Sequence, residues 1–273
     1  MGYTHNEIPL FRAFQDSLLA LSNKFQIEEY HGNSHQVLYT GPGTFARKYA
    51  RCELADLMVL VYSPISKQAR LTYLQAKSER AQMNPYTGGP FSANLEQWFL
   101  LSKRPHINGV GAFKPPSNLL FDAVLPSIGS FIFFYKDRPG KFQTYYTSAD
   151  MLSLCGNYSQ RYGKLCNPKA MPPPSSVYQE CKIALDNYEF SKNLYTLKIG
   201  TPVIHPAPQW QLARTWLAAT LKACQATGAA AGKNSSLIPE LLELLSSADQ
   251  VASSDQFGAK SMIIIKSEAD SGA

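Results

Sequence analysis

The chain has 273 residues, of which 45% are apolar and 17% are charged, and it carries a formal net charge of +6. This is the composition of an ordinary globular protein with one large domain or two small ones, and the mild positive charge is compatible with a polyanionic partner without requiring one. No apolar run reaches the roughly 18 residues of a membrane-spanning helix, so a helical membrane span is excluded.

The five cysteines stand at positions 52, 155, 166, 181 and 224. Their odd number and wide spacing argue against a disulfide framework and against a zinc ribbon, and they favour reduced thiols in a cytoplasm. The first residues lack the basic segment followed by an apolar core that marks a signal peptide. We therefore expect a cytoplasmic protein with no membrane contact.

The first predicted element is a helix that begins near Asn6, where apolar residues recur at helical spacing. Glu7 lies in its first turn, where the helix macrodipole favours an acid whatever its function. A basic segment with Arg47, Lys48 and Arg51 lies just before the first of two apolar runs, which begins at Leu57. These three cations either contact nucleic-acid phosphates or form an ordinary solvated face.

Two apolar runs of strand length, Leu57 to Tyr62 and Leu71 to Ala76, flank a polar break and predict an antiparallel hairpin. When the hairpin is folded symmetrically about the break, Asp56 lies opposite Lys77. Gln75 leaves the same face of the strand as Lys77, because side chains alternate along a strand.

An acid, an amide oxygen and an amine at this end of the hairpin suit a divalent-metal site that cleaves phosphodiesters. Mg²⁺ takes hard oxygen ligands, which Asp56, the preceding Glu53 and the side-chain carbonyl of Gln75 can supply, and Mn²⁺ is an alternative ion. Lys77 would orient the attacking water and stabilise negative charge on the phosphorane. The alternative is an ordinary cross-strand ion pair between Asp56 and Lys77, worth about 0.2–1 kcal/mol.

The acid at the start of one strand and the Gln75-Ala76-Lys77 triplet at the end of the next resemble the PD-(D/E)xK nuclease superfamily, the fold of many restriction endonucleases, resolvases and defence nucleases. Asp56 matches the first acid of the family pattern and Lys77 its lysine, while Gln75 occupies the position of the second acid. The resemblance implies a second carboxylate from elsewhere, with Glu53 as the first candidate and Glu7 as the second. It covers roughly residues 6 to 105.

Further elements follow the central hairpin. The patterns predict a helix over 95–102, a second hairpin with strands over 130–135 and 141–146, helices over 209–227 and 237–251, and a buried strand over 261–266. The second hairpin is crowded with aromatic residues, which indicates either core or a base-stacking platform.

A basic and aromatic stretch runs from Asn157 to Pro174 and includes Tyr158, Arg161, Tyr162 and Lys164. Cations that alternate with aromatic rings are one way to grip a nucleic-acid backbone. The alternative is a surface excursion that leads into a stiff triple proline.

These patterns together predict an α/β fold, with a restriction-endonuclease-like core in which helices flank a central mixed sheet, plus a C-terminal helical elaboration. We expect the nuclease-like core over residues 1–171 and a mostly helical region over 172–273 that packs on it and adds a last strand near 261–266. The expected function is a Mg²⁺-dependent endonuclease that hydrolyses DNA, in restriction or phage defence.

Cutting both strands of a duplex needs two sites, so a homodimer is expected by symmetry, and a partner protein of a defence system is a further expectation. The alternative is a nucleic-acid-binding or scaffold subunit that keeps the nuclease fold without its activity, which the amide at position 75 favours. RNA or modified DNA is an alternative substrate.

Overall fold

A computed structural model describes residues 35–78, 89–138, 141–167, 183–184, 186–204, 210–226, 237–247 and 263–266. The predicted N-terminal helix, with Glu7, lies outside the described residues. The same holds for the basic stretch beyond residue 167.

Within these ranges the chain forms strands and helices in a mixed order. The strands are β1 (Gln36–Thr40), β2 (Tyr49–Glu53), β3 (Leu57–Ser63), β4 (Gln68–Ser78), β5 (Phe91–Asn94), β6 (Asn108–Gly109), β7 (Gly129–Arg138), β8 (Lys141–Ser148), β9 (Ser153–Ser159), β10 (Tyr162–Cys166), β11 (Ile183–Ala184), β12 (Thr201–Pro202) and β13 (Ile263–Lys266). The α-helices are α1 (Leu95–Lys103), α2 (Asn187–Tyr195), α3 (Gln211–Ala226) and α4 (Leu237–Ser247). No helix in the described part of the chain has the length and apolarity that crossing a bilayer requires.

Among the described residues, the main sheet has seven strands and is mixed. Its order is β11-β8-β7-β4-β3-β13, and β12 pairs with β4 off this path. The pairs β4–β7 and β3–β13 are parallel, and the other pairs are antiparallel. Two smaller sheets of three strands each, β2-β1-β6 and β5-β10-β9, lie beside it. The predicted α/β class with a central mixed sheet and flanking helices is confirmed.

Apolar side chains cover both faces of the main sheet. The larger core joins one face of the sheet to α1, α3 and α4, and it includes Met58, Leu60, Leu71, Tyr73, Phe131, Phe133, Trp98, Leu101, Trp216 and Leu241. The smaller core joins the opposite face to α2, and it includes Leu57, Val59, Val61, Leu74, Ile132, Phe190 and Leu194. Strand β3 is therefore buried on both faces, which is why its sequence is a continuous apolar run rather than an alternating one.

The predicted central hairpin is confirmed as β3 and β4, but its predicted register is wrong by two residues. Leu57 pairs with Leu74, and the strands stay paired up to Ser63 and Gln68. The turn is shorter than the polar break suggested, because Lys67 adopts a left-handed conformation with φ 49° and closes it. Asp56 consequently opposes Gln75 instead of Lys77.

The helix α1 lies within the connection between β4 and the parallel strand β7, after β5 and before β6. The side chain of Asn94 caps it by accepting a hydrogen bond from the backbone N–H of Glu96 at 3.0 Å. At the other end, β7 begins at Gly129, where a Cβ atom would collide with the backbone carbonyl of Leu101 on α1. Glycine at this position lets the helix and the strand pack closely, which brings β7 alongside β4.

Other elements differ from their predictions to varying degrees. Within the described residues, the helices predicted over 209–227 and 237–251 are confirmed as α3 and α4, and the strand near 261–266 is confirmed as β13. The second hairpin is confirmed as β7 and β8. The described part of the stretch that begins at Asn157 lies in the hairpin β9–β10, whose register shifts between Tyr162 and Lys164. The helix α2 was not predicted.

Candidate active site

The carboxylate of Asp56 lies at the open end of the β3–β4 hairpin and is held by β4. Its Oδ2 accepts hydrogen bonds from the side-chain amide Nε2 of Gln75 and, at 2.8 Å, from the backbone N–H of Ala76. The backbone N–H of Asp56 donates to the carbonyl of Leu74 at 3.1 Å. This bond extends the hydrogen-bonding between β3 and β4 to the residue just before β3. Asp56 and Gln75 are therefore fixed against each other by the register of the hairpin.

The side-chain amide of Gln75 has one polar atom, Oε1, that lacks a hydrogen-bond partner among the described residues. The residue is 2% exposed and Asp56 is 8% exposed, so both are screened from bulk water. While Nε2 of Gln75 donates to the carboxylate, its Oε1 is buried and accepts no hydrogen bond from the described residues. A buried carbonyl oxygen without a donor is costly, and a bound cation would satisfy it.

Lys77 lies two residues further along β4, on the same face as Gln75. Its side chain is half-buried, and of the described strands only β7 flanks β4 at this point, through the pair Lys77 and Phe133. Glu53 ends β2, opposite Gln36 of β1, and its side chain is also half-buried. The structure thus brings Asp56 and Gln75 together, with Lys77 next along the strand, while Glu53 belongs to a different sheet.

These residues fit a weak magnesium site rather than a carboxylate-rich one. Mg²⁺ is commonly bound by one or two carboxylates together with waters and substrate phosphate, and Asp56 with the carbonyl of Gln75 gives one carboxylate and one neutral oxygen. The described residues contain no group of three or more Asp, Glu, His or Cys side chains arranged to hold a metal.

The three cations expected to contact phosphates have different surroundings. Arg47 is bound to Glu96, whereas Arg51 is exposed and donates from Nε to the side-chain oxygen of Gln36 at 2.5 Å. Lys48 is exposed, with its Nζ 5.8 Å from the centre of the Tyr49 ring.

Glu96 is the residue that the sequence patterns did not single out. It lies in the first turn of α1 and is completely buried. Its Oε1 accepts from Arg47 Nε at 2.6 Å and its Oε2 from Arg47 Nη2 at 3.1 Å, while Arg161 Nε of the β9–β10 turn lies 3.5 Å from Oε2. A glutamate in a first helical turn is usually explained by the macrodipole, so no local signal distinguishes this one. It joins α1, the β1–β2 connection and the β9–β10 hairpin.

Burial keeps two groups near this ion pair protonated, the hydroxyl of Tyr39 and the thiol of Cys52. Tyr39 donates from its hydroxyl to the backbone carbonyl of Glu96 at 2.5 Å, and burial raises its pKa far above the ordinary value of 10.0. Burial also raises the pKa of the Cys52 thiol, from 9.0 to about 12. Ionisation of either group would place an anion in the core.

Alkaline pH is therefore expected to destabilise the fold. A group whose pKa is raised on folding contributes its full stabilisation below the unfolded pKa and loses it as the pH rises through the folded pKa. For Cys52 that window runs from 9.0 to about 12. Raising the pH from about 9 to about 11 should cost about 2 kcal/mol through this thiol, measured by urea unfolding.

The matched comparison for this prediction is between two variants in the same small sheet. Cys52→Ala should show a shallower loss of stability between the two pH values than the wild type, whereas Thr40→Ala, at an exposed position on the neighbouring strand β1, should show the wild-type loss. An identical pH dependence in Cys52→Ala and wild type would contradict the role given to this thiol.

Comparisons of the chain with protein-family models, with curated proteins and with solved structures found no match.

Proposed function

We propose that this protein is a Mg²⁺-dependent endonuclease that hydrolyses DNA phosphodiester bonds. Asp56 and the carbonyl oxygen of Gln75 would hold the metal ion, with Glu53 and Glu7 as candidates for a further carboxylate. Lys77 would act on the substrate phosphate. A role in restriction or phage defence, a homodimer and a partner protein of a defence system belong to the same proposal.

One observation carries this proposal. The register of β3 and β4 places the Asp56 carboxylate against the Gln75 amide, whose Oε1 is buried without a hydrogen-bond donor among the described residues. Most buried polar atoms have a hydrogen-bond partner, an ordered water or an ion, so the Oε1 atom of Gln75 calls for a bound group beside the carboxylate. A hard divalent cation is attracted by both groups.

The order of the elements supports the restriction-endonuclease-like form of the fold. The antiparallel strands β3 and β4 are followed by the short strand β5, the helix α1, the two-residue strand β6 and then β7, which pairs in parallel with β4. The acid stands at the start of β3 and the Gln-x-Lys triplet near the end of β4, as in the family pattern that the sequence resembles.

The chain's own residues would prepare the reaction in distinct ways. The N–H of Ala76 and the amide of Gln75 fix the orientation of the Asp56 carboxylate, so little reorganisation is needed when a ligand arrives. A bound Mg²⁺ would supply an acidified water and neutralise phosphate charge. The ammonium of Lys77, next on the same strand face, would stabilise the negative charge that grows on the phosphorane.

A second candidate is a nucleic-acid-binding or scaffold subunit with this fold and no cleavage activity. Two observations favour it. Oδ2 of Asp56 already accepts two hydrogen bonds from protein groups, and no carboxylate-rich cluster is found in the described ranges. In this case the Asp56–Gln75 contact would close the end of the hairpin and have no chemical role.

Plasmid nicking separates these candidates. Wild-type protein should nick supercoiled plasmid in Mg²⁺ and lose this activity in EDTA. Lys77→Met and Asp56→Asn should reduce the nicking rate about a hundredfold or more, because each removes charge that acts on the reacting phosphate or its metal ion. Circular dichroism should show that both variants are folded.

The matched control is Lys67→Met, which removes an exposed lysine from the turn at the opposite end of the same hairpin. It should nick at the wild-type rate. Equal nicking by Lys77→Met and wild type would discard this site assignment. If the wild type neither nicks DNA or RNA nor shows a saturable heat on Mg²⁺ or Mn²⁺ titration, the scaffold function is supported instead.

A further inference from the structure

Two exposed segments, the β1–β2 connection and the β9–β10 turn, contact each other next to Glu96. The N–H of Arg161 donates to the carbonyl of Phe45 at 3.0 Å, and the side chain of Gln160 donates to the carbonyl of Gly43 at 3.4 Å. The rings of Phe45 and Tyr158 are in edge contact, with centroids 6.3 Å apart. The β1–β2 connection and the β9–β10 turn thus form one continuous part of the surface.

The buried carboxylate holds two arginines at this junction and leaves their outer parts in solvent. The side chains of Arg47 and Arg161 are 38% and 41% exposed, although both lie within 3.5 Å of Glu96. Nε of Arg161 has no hydrogen-bond partner within the described residues. One negative charge therefore faces two positive ones, and the excess points to an anionic ligand.

Each segment also presents a tyrosine ring with a cation beside it. Tyr49 is 77% exposed, with Lys48 Nζ 5.8 Å from its ring centre, and Tyr162 is 56% exposed, with the Arg161 guanidinium 5.6 Å from its ring centre. Tyr49 is two residues after Arg47 in the sequence, and Tyr162 directly follows Arg161. Both rings therefore lie close along the chain to the arginines that contact Glu96.

The two segments are mainly cationic. Residues 36–53 and 153–167 contain five cationic residues and one acidic residue, Glu53 at the end of β2. The cations of the second segment are Arg161 and Lys164, and Lys164 lies on the exposed face of β10, opposite Cys155 of β9. A polyanion can contact several of these cations at once, whereas a single acidic side chain of a protein can contact only one or two of them.

We infer that this surface, made of Arg47, Lys48, Tyr49, Arg161, Tyr162 and Lys164, binds single-stranded DNA. The cations contact consecutive phosphates, and the two rings stack on unpaired bases. A duplex keeps its bases stacked inside, so exposed tyrosine rings between cations favour a single strand over a double strand. The choice of DNA over RNA rests on the proposed function.

The test is fluorescence anisotropy with a labelled oligothymidylate of about 20 nucleotides, a length that exceeds the span of a single binding fold. It is run in EDTA so that cleavage cannot contribute. Wild-type protein should bind the single strand more tightly than a duplex of the same length. Tyr162→Ala and Tyr49→Ala should each weaken binding about tenfold, while Tyr162→Phe, which keeps the ring, should bind as the wild type does.

The phosphate contacts are tested by the salt dependence. Lys48→Ala and Lys164→Ala should weaken binding and each lower the slope of log affinity against log salt by about 0.7, the value for one phosphate of a single strand. The matched controls are Tyr188→Ala and Lys192→Ala. Both residues are exposed on α2, which packs on the opposite face of the main sheet.

Several results would overturn this inference: no binding of the single strand, equal binding by wild type and the two tyrosine-to-alanine variants, or equal losses in the α2 controls. Tighter binding of an oligouridylate than of the oligothymidylate would overturn the choice of DNA. The endonuclease proposal is judged separately, since binding without nicking contradicts only cleavage, and nicking without single-strand binding contradicts only this surface.

Discussion

Replacing Gln75 by glutamate is expected to lower the free energy of unfolding by about 3 kcal/mol in EDTA. The substitution removes the Nε2 donor from Asp56 and sets a second carboxylate against the first in a position that is 2% exposed. A divalent cation should reverse most of this loss, because an ion that binds only the folded state at a hundred times its dissociation constant adds about 2.7 kcal/mol. Urea unfolding in EDTA and in Mn²⁺ measures both effects.

The control for Gln75→Glu is Gln75→Met, which has a similar volume but neither a donor nor an oxygen. It should also be destabilised, since Asp56 loses a hydrogen bond, but Mn²⁺ should not restore its stability. Lowering the pH should lessen the defect of Gln75→Glu, because one of two facing carboxyl groups then takes up a proton. Equal Mn²⁺ effects on both variants would contradict a metal at this position.

Removing the carboxylate of Glu96 should cost about 3 kcal/mol of stability, because Glu96→Ala leaves the side chain and the backbone N–H of Arg47 without their acceptor and removes the anion that pairs with Arg161. The cost should lie at the low end for buried ion pairs, since both guanidinium groups can reach water. The same variant should weaken single-strand binding by releasing Arg47 and Arg161 from fixed positions. Urea unfolding and the anisotropy assay measure these two results.

Two further glutamate variants complete this comparison. Glu96→Gln keeps the shape and one acceptor oxygen, so it should lose less stability than Glu96→Ala. Glu189→Ala removes an exposed first-turn glutamate from α2 and should change stability by no more than about 0.5 kcal/mol. A loss below about 1 kcal/mol for Glu96→Ala would show that the buried pair does not hold the three segments together.

The sequence predicts the elements whose signals are local. Asn94 before an apolar run marks the start of α1, and the continuous apolar run of β3 marks a strand buried on both faces. The alanine- and leucine-rich segment of α3 and the apolar strand β13 follow the same logic. In each case the residues that form the element also carry the signal.

The register of a strand pair and the pairing of side chains depend on contacts between residues that are distant in the sequence, so local patterns do not predict them. The position of Asp56 opposite Gln75 follows from the left-handed conformation of Lys67, a residue type that does not favour it. The pairing of Arg47 with Glu96 joins residues 49 positions apart. Similarly, Cys155 and Cys166 look unrelated in the sequence, yet the β9–β10 hairpin places both on one face, and the pKa of Cys155 is raised to about 11 by burial and by a hydrogen bond with Cys166.

The strand β13 pairs in parallel with β3 and covers the edge of β3 that does not pair with β4, although about 200 residues separate the two strands along the chain. Every residue of Leu57–Ser63 is buried, and Ile263–Lys266 pairs with Val59–Tyr62 along it. A truncation before residue 263 would turn this apolar strand into a sheet edge with free N–H and C=O groups, a template for pairing with other molecules. Loss of the pairing between β13 and β3 would therefore promote aggregation at the strand that begins directly after Asp56.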